Sequence, residues 1–347
     1  MKLDSKIILT WDRPTWKLHI WHFFWSLKER LKLQNELKKW DEMYILIADM
    51  QALTDRKDKE QIKKIKENIY ELMTDYLLIW LDYTKVNFVL QSKVPEISHI
   101  FYIFSCFTPR NYIDVHIPQV KQEAKLKWNK NISLWFYLHP IHQAADILSV
   151  SEAWKTIYVP VWKDQSWNLN YAKYISKRIN NISSQLWNWK ILSEVKEIFW
   201  VSENIKWLDW KKMSKSLWNV IYLRDSKEDI EYKIMKLMPI WYDYNQKKPL
   251  NIELFNQYTE LFFNKEEAEF YKKEYLEFNK LHIKTFKKKL IENIINFLEE
   301  IKINKKILNM KEEDKRRFID LLIKFWTEKY KNKAIKTSER LRKIFSI

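Results

Sequence analysis

Glycine is absent from the 347 residues, while tryptophan occurs 19 times. Average usage would supply glycine at about 7%, roughly two dozen residues. Turns, helix C-termini and phosphate-contacting loops rely on glycine for positive φ or for a missing Cβ. A genuine absence would therefore exclude most ordinary α/β enzymes of this size. Cysteine occurs once, at Cys106. That excludes an internal disulfide framework and any multi-cysteine zinc or iron–sulfur centre within one chain. Long apolar runs are also missing: stretches such as His99–Phe107 fall far short of the ~20 residues a bilayer span needs. The start, MKLDSKIILT, lacks a signal peptide's apolar stretch and small-residue cleavage site. These features predict a soluble cytoplasmic protein without a membrane partner.

What is present is globular and basic. Hydrophobic residues make up 46%, and 62 Lys+Arg against 45 Asp+Glu leave a net charge of +17. The excess suits a polyanionic partner. The tryptophans stand in glycine-like contexts: Trp128 in KLKWNKN, Trp187 and Trp189 in QLWNWK, Trp218 in SLWNV and Trp326 in KFWTEK. The codon UGA is read as Trp in some genetic codes and as Gly in others. We read these tryptophans as glycines translated with the wrong table; the alternative is a genuinely tryptophan-rich protein.

Short β-branched runs predict buried strands at Lys6–Thr10, Tyr44–Ala48, Asn87–Leu90 and Thr156–Val161. Between them, apolar periodicity predicts helices over about 20–37, 59–78, 95–107, 140–150 and 168–182. Strands alternating with helices imply a doubly wound α/β parallel sheet of Rossmann type over 1–225. From 226 to 347 the pattern predicts a smaller all-helical domain, with mostly helical segments at 226–238, 251–262, 264–300 and 311–345. Within it, the run Lys287-Lys288-Lys289 is a candidate RNA-facing patch. Cys106, Phe101, Tyr102 and Phe104 read as core.

Two motifs carry chemistry. Lys212-Met213-Ser214-Lys215-Ser216 presents two lysines and two hydroxyls, a set that stabilises a pentavalent phosphate without a base. His19-Ile20-Trp21-His22 opens a helix after the first strand. A helix start there offers N–H groups and a positive dipole to phosphate, and both imidazoles can donate to the same anion. Glycine at position 21 would let an adenine ring lie on bare backbone. His139, His142 and Asp146 have helical spacing, but nothing in the sequence supplies the further shell a metal needs.

The pair HxxH and KMSKS resembles the signatures of class I aminoacyl-tRNA synthetases. The stretch 10–34, with IADMQALTD (47–55), VLQSKVPE (89–96), PQVKQEAKLK (118–127), PIHQAADIL (140–148), VPVWKDQ (159–165) and FWTEKYKNKA (325–334), is similar to tryptophanyl-tRNA synthetases. The likeness covers nearly the whole chain and weakens over 226–310. It implies use of ATP with Mg²⁺, L-tryptophan and tRNA(Trp), and a homodimer. The C-terminal domain would contact the tRNA anticodon region, with its last helix packing back on the catalytic domain. It implies an ATP site at Thr10, Trp11, Arg13, Thr15, His19, Trp21, His22, Lys212, Ser214 and Lys215, with Met213 and Ser216 completing the catalytic loop. It implies a tryptophan pocket of Thr10, Gln51, His139, Gln143, Asp146, Trp162, Asp164 and Gln165, in which Asp146 accepts the indole N–H.

Three departures touch that pocket. His139 stands where the family has Tyr, Lys163 where it has an acid, and Asn168 and Asn170 where it has another polar pair. DQSWN echoes tyrosyl-tRNA synthetases, which lack AADIL. The competing functions are a tyrosyl-tRNA synthetase, or a non-catalytic tRNA-binding paralogue if the tryptophans are real.

Overall fold

The computed structural model describes residues 5–15, 17–53, 58–109, 111–117, 134–162, 166–187, 189–200, 220–237, 242–243, 248–249, 252–276 and 283–344. Strands β1 (Lys6–Asp12), β2 (Glu42–Ile47), β3 (Val86–Leu90), β4 (Thr156–Val161) and β5 (Glu194–Phe199) form one sheet in the order β3-β2-β1-β4-β5. Every neighbouring pair is parallel. The doubly wound reading holds. Successive residues of the central strands face opposite sides. Ile8, Ile45 and Phe88 enter one core, while Ile7, Leu9, Tyr44 and Leu46 enter the other. Burial on both faces explains why these strands read as continuous apolar runs.

The helices that connect the sheet are α1 (Ile20–His22), α2 (Lys28–Asn35), α3 (Asp49–Ala52), α4 (Lys59–Leu78), α5 (Glu96–Cys106), α6 (Tyr112–His116), α7 (Leu134–Leu148) and α8 (Ser166–Trp187). A π-helical segment, Phe23–Leu27, joins α1 to α2. Helix α7 begins six residues before the expected start at Pro140, which lies inside it and is buried.

Beyond Asp225 come α9 (Lys227–Tyr232), a π segment at Lys233–Leu237, α10 (Ile252–Phe262), α11 (Lys265–Leu276), α12 (Ile283–Ile301), α13 (Lys306–Asn309) and α14 (Glu312–Lys343). An antiparallel pair of two-residue strands, Tyr242–Asp243 with Lys248–Pro249, also lies in this helical region. Within the segment 264–300, read as mostly helical, the described residues form α11 and α12. Aromatic packing fastens the region to α1 and to the π segment after it: Trp21 meets Tyr258 edge-on at 5.3 Å, and Phe24 stacks on Phe297 at 5.1 Å. Helix α14 returns to the sheet, where Thr327 accepts the Leu90 N–H and Lys329 reaches Asn87.

Four side-chain readings change. Cys106 is exposed, and Tyr102 is 67% exposed, because both lie on the outer face of α5. Lys287 is buried and its ammonium approaches the Met235 carbonyl at 3.4 Å, so it does not present charge to RNA. Trp326 sits within α14 rather than at a turn, and its indole donates to the Tyr83 carbonyl at 3.1 Å.

Candidate active site

The strand order reverses at β1, between β2 and β4. In an open parallel sheet a ligand crevice lies outside the carboxyl ends of the strands at such a switch point. The loop after β1 leads from Asp12 to His19. Asp12 is tied there to Arg30 of α2 and to the Tyr76 hydroxyl of α4. Arg30 is buried; desolvation is the largest single influence and disfavours its charge, but the charges and hydrogen bonds of Asp12 and Tyr76 together outweigh it and hold the guanidinium in the charged form. Arg30 also donates to the Tyr76 hydroxyl at 3.2 Å and to the Trp11 carbonyl at 3.4 Å. Sequence reading missed this buried charge cluster.

His19 and His22 lie side by side. Their rings lie 3.6 Å apart between centroids, and the His19 N–H donates to His22 Nδ1 at 3.1 Å. Burial lowers both pKa values, that of His22 to about 4. The Ile20 N–H, expected to serve an anion, instead donates to the Ile221 carbonyl at 2.9 Å. Leu223 returns a bond to Leu18, and His19 bridges Tyr222. The segment that follows the KMSKS stretch in sequence is thus laced to the HxxH segment. Asp75 of α4 strengthens the lacing, accepting from the Leu18 N–H at 2.7 Å and from Arg224 Nε at 2.6 Å. Its burial pushes its pKa up to about 6.

A second polar cluster surrounds Asp146, which is buried in α7. Gln51, from α3 after β2, donates to Asp146 Oδ2 at 2.7 Å. Gln91, just after β3, donates to Oδ1 at 2.7 Å. The Gln51 backbone N–H donates to the Gln91 side-chain carbonyl at 3.3 Å, closing a ring of three residues. His142 Nδ1 lies 3.4 Å from Asp146 Oδ2. The Gln143 side-chain oxygen is buried with no hydrogen-bond partner among the described residues. Gln91 was not among the predicted site residues, although it directly follows a buried strand at the carboxyl edge, where such folds concentrate function.

Of the other predicted site residues, Thr10 is buried in β1 and Trp11 is half-buried beside it. Arg13 is exposed, its carbonyl accepting the Thr15 N–H at 2.7 Å, while the Thr15 carbonyl accepts from Asn68 at 3.0 Å. Trp21 is buried against Tyr258. His139 is half-buried in α7, and Trp162 is half-buried just after β4. Lys212, Met213, Ser214, Lys215, Ser216, Asp164 and Gln165 lie outside the described residues. Among the described residues no group of three or more His, Cys, Asp or Glu side chains is placed to hold a metal ion. Likewise, no described helix is long and apolar enough to cross a membrane.

A family model described as tRNA synthetases class I (W and Y) matches residues 4–299. A tryptophan–tRNA ligase of Borreliella burgdorferi is 31% identical over 344 residues, covering 96% of this chain and 92% of its own. The chain belongs to this synthetase family. A tryptophan–tRNA ligase of Streptococcus mutans is 35% identical over 272 residues, 76% of each chain. In structure, the synthetase shares its fold with the Campylobacter jejuni tryptophanyl-tRNA synthetase solved with ADP and tryptophan. The TM-score is 0.77 at 23% identity, covering 98% of this chain and 100% of that one.

Proposed function

We propose that this synthetase is a tryptophan–tRNA ligase that reads its amino acid through the Asp146 ring. Indole offers a single polar handle, its N–H. Each Asp146 oxygen already accepts one amide bond, from Gln51 or Gln91, and a carboxylate has about four acceptor positions. The ring therefore holds the carboxylate in one orientation while leaving it able to accept the indole. This buried, pre-oriented acceptor is the observation that carries the reading. We assign Thr10, Gln143, His139 and Trp162, with Asp164 and Gln165, to binding the amino acid as well.

ATP enters with Mg²⁺ over Thr10, Trp11, Arg13 and Thr15, against His19, residue 21 and His22. The tryptophan carboxylate attacks the α-phosphorus, and pyrophosphate leaves. Lys212 and Lys215 stabilise the added charge, with Ser214, Met213 and Ser216 shaping their loop. The terminal ribose hydroxyl of tRNA(Trp) then attacks the acyl carbon, and AMP leaves. His19 and His22 are neutral at physiological pH, since burial lowers both pKa values. As neutral rings they contribute directed hydrogen bonds rather than charge. The enzyme acts in the cytoplasm as a homodimer, and residues 226–347 contact the anticodon region. Charging of tRNA(Trp) with tryptophan, and failure to charge it with tyrosine, tests the assignment. Charging with tyrosine alone would restore the tyrosyl alternative.

We propose further that the tryptophans stand for glycines. Trp80 supports this. It follows α4 at φ 67°, in the left-handed region that favours glycine. Its N–H donates to the Leu77 carbonyl at 3.2 Å and the Leu81 N–H to the Tyr76 carbonyl at 2.9 Å. That is the double closure of a Schellman turn, whose left-handed position is usually glycine. Trp40, Trp154 and Trp189 are more than half exposed, where an indole gains little from burial. Peptide mass spectrometry of protein from its own organism tests the proposal. The tryptic fragment Leu18–Lys28 should carry glycine at 21 and 25, and tryptophan at both would refute it.

A further inference from the structure

Helix α14 reaches the back of the Asp146 ring at two points. The Leu90 N–H, one residue before Gln91, donates to Thr327 Oγ1 at 3.1 Å. One turn later the Tyr330 hydroxyl lies 2.8 Å from the backbone carbonyl of Asp146 and 2.6 Å from Ser149 Oγ. Ser149 Oγ is itself 2.9 Å from the same carbonyl. Two hydroxyl protons therefore serve three close oxygens, and at least one of them always goes to Asp146. Tyr330 is fully buried, with its ring edge-on to Tyr44 of β2 at 5.3 Å. Another turn on, Lys333 pairs with Glu42 of β2 at 2.5 Å and with Glu152. Glu42 is bound in turn by Lys155 at 2.9 Å. The helix is pinned to the sheet on either side of the contact with Asp146.

We propose that Tyr330 and Thr327 are positioning residues for amino-acid selection. Through them, helix α14 sets where Asp146 and Gln91 stand. The proposal rests on the reading of Asp146 as the indole acceptor. Each holds a backbone group of the segment that bears one of the ring's side chains. Hydrogen bonds weaken steeply as angle and distance drift, so a small shift of the turn bearing Asp146 costs recognition of the indole before it costs anything else. A helix from the C-terminal region thereby becomes part of the specificity apparatus.

The test is Tyr330→Phe in the full chain, which removes one oxygen and keeps the ring. Tryptophan-dependent exchange of pyrophosphate into ATP is measured beside exchange with benzothienylalanine, in which sulfur replaces the indole N–H. The KM for tryptophan should rise about three- to tenfold, the size of losing one hydrogen bond. The KM for ATP and kcat should stay within twofold, and the preference for tryptophan over the analogue should narrow by the same factor as the KM change. Thr327→Val should shift both readouts in the same direction. An unchanged KM for tryptophan, or equal losses for tryptophan, analogue and ATP, overturns the proposal. If Tyr330→Phe does not fold, Thr327→Val decides on the same readouts. A wild-type chain that does not activate tryptophan overturns the reading of Asp146 itself, an outcome distinct from a silent variant of an active enzyme.

Discussion

Gln91 fixes Asp146 and is fixed in return. Its amide N–H donates to Asp146 Oδ1 at 2.7 Å, while its carbonyl accepts the backbone N–H of Gln51, the other residue holding that carboxylate. A donor and an acceptor on one side chain are both satisfied, so the amide cannot flip without losing both. The first prediction is that Gln91→Ala raises the KM for tryptophan and leaves that for ATP unchanged. Asp146→Ala should do so more strongly. It also orphans two buried amide donors, at a cost of about 1–3 kcal/mol each. Steady-state exchange kinetics and thermal melts check both effects. An Asp146→Ala protein with wild-type KM and Tm would contradict the ring's role.

The sheet was largely legible in sequence. Strands buried on both faces announce themselves as apolar runs, and four of them fell within two residues of expectation at each end. β5, Glu194–Phe199, did not. It is an edge strand with Glu194, Lys196 and Glu197 among its six residues, and edge strands carry charge that hides their pattern. The paired histidines were legible as a motif, but not that the Ile20 N–H would be taken by Ile221. Gln91 was quoted within a family segment without being singled out, because its partners lie 40 and 55 residues away. Lys287 misled for a related reason. A lysine run looks solvated, yet a helical period turns one of three successive residues inward.

The second prediction concerns pH. Unfolded His22 takes a proton near the ordinary value of 6.5, whereas burial holds the folded side chain neutral down to about 4. Between these values the unfolded state binds the proton. Stability present above pH 6.5 is therefore lost as pH falls towards 4. Asp75 acts oppositely: its pKa is raised to about 6, so its contribution is present at low pH and lost as pH rises through 6. Urea titrations of wild type and His22→Asn at pH 7.5 and 5 separate the two. The variant should lose less stability on acidification, and equal losses would contradict the assignment. Imidazole NMR should show no His22 titration above pH 5.5.

The third prediction concerns the signature loop. Lys215→Ala, and in the same direction Lys212→Ala, should slow adenylate formation by about 10²–10³, the size of losing one charge-stabilising donor. Tryptophan binding should change little. Pre-steady-state formation of the adenylate at an unchanged rate would remove these lysines from the reaction.

The fourth prediction separates RNA contact from folding within one lysine run. Lys288 is exposed, Lys289 pairs with Glu292 at 3.2 Å, and Lys287 is buried. Lys288→Glu should weaken tRNA charging and flatten its salt dependence while leaving the adenylate step intact, as loss of a phosphate contact requires. Lys287→Glu should instead lower Tm, since it places an acid in a buried position. Identical charging by wild type and Lys288→Glu at low salt would remove this face from the tRNA path.

The account as a whole turns on which amino acid the Asp146 ring admits. The direct measurement is amino-acid-dependent exchange of pyrophosphate into ATP by the full chain, prepared both with tryptophan and with glycine at the 19 positions. The account predicts exchange with tryptophan and none above background with tyrosine, carried by the glycine form and lost in the tryptophan form. Exchange that requires tyrosine, or no exchange with either amino acid in either form, would contradict it.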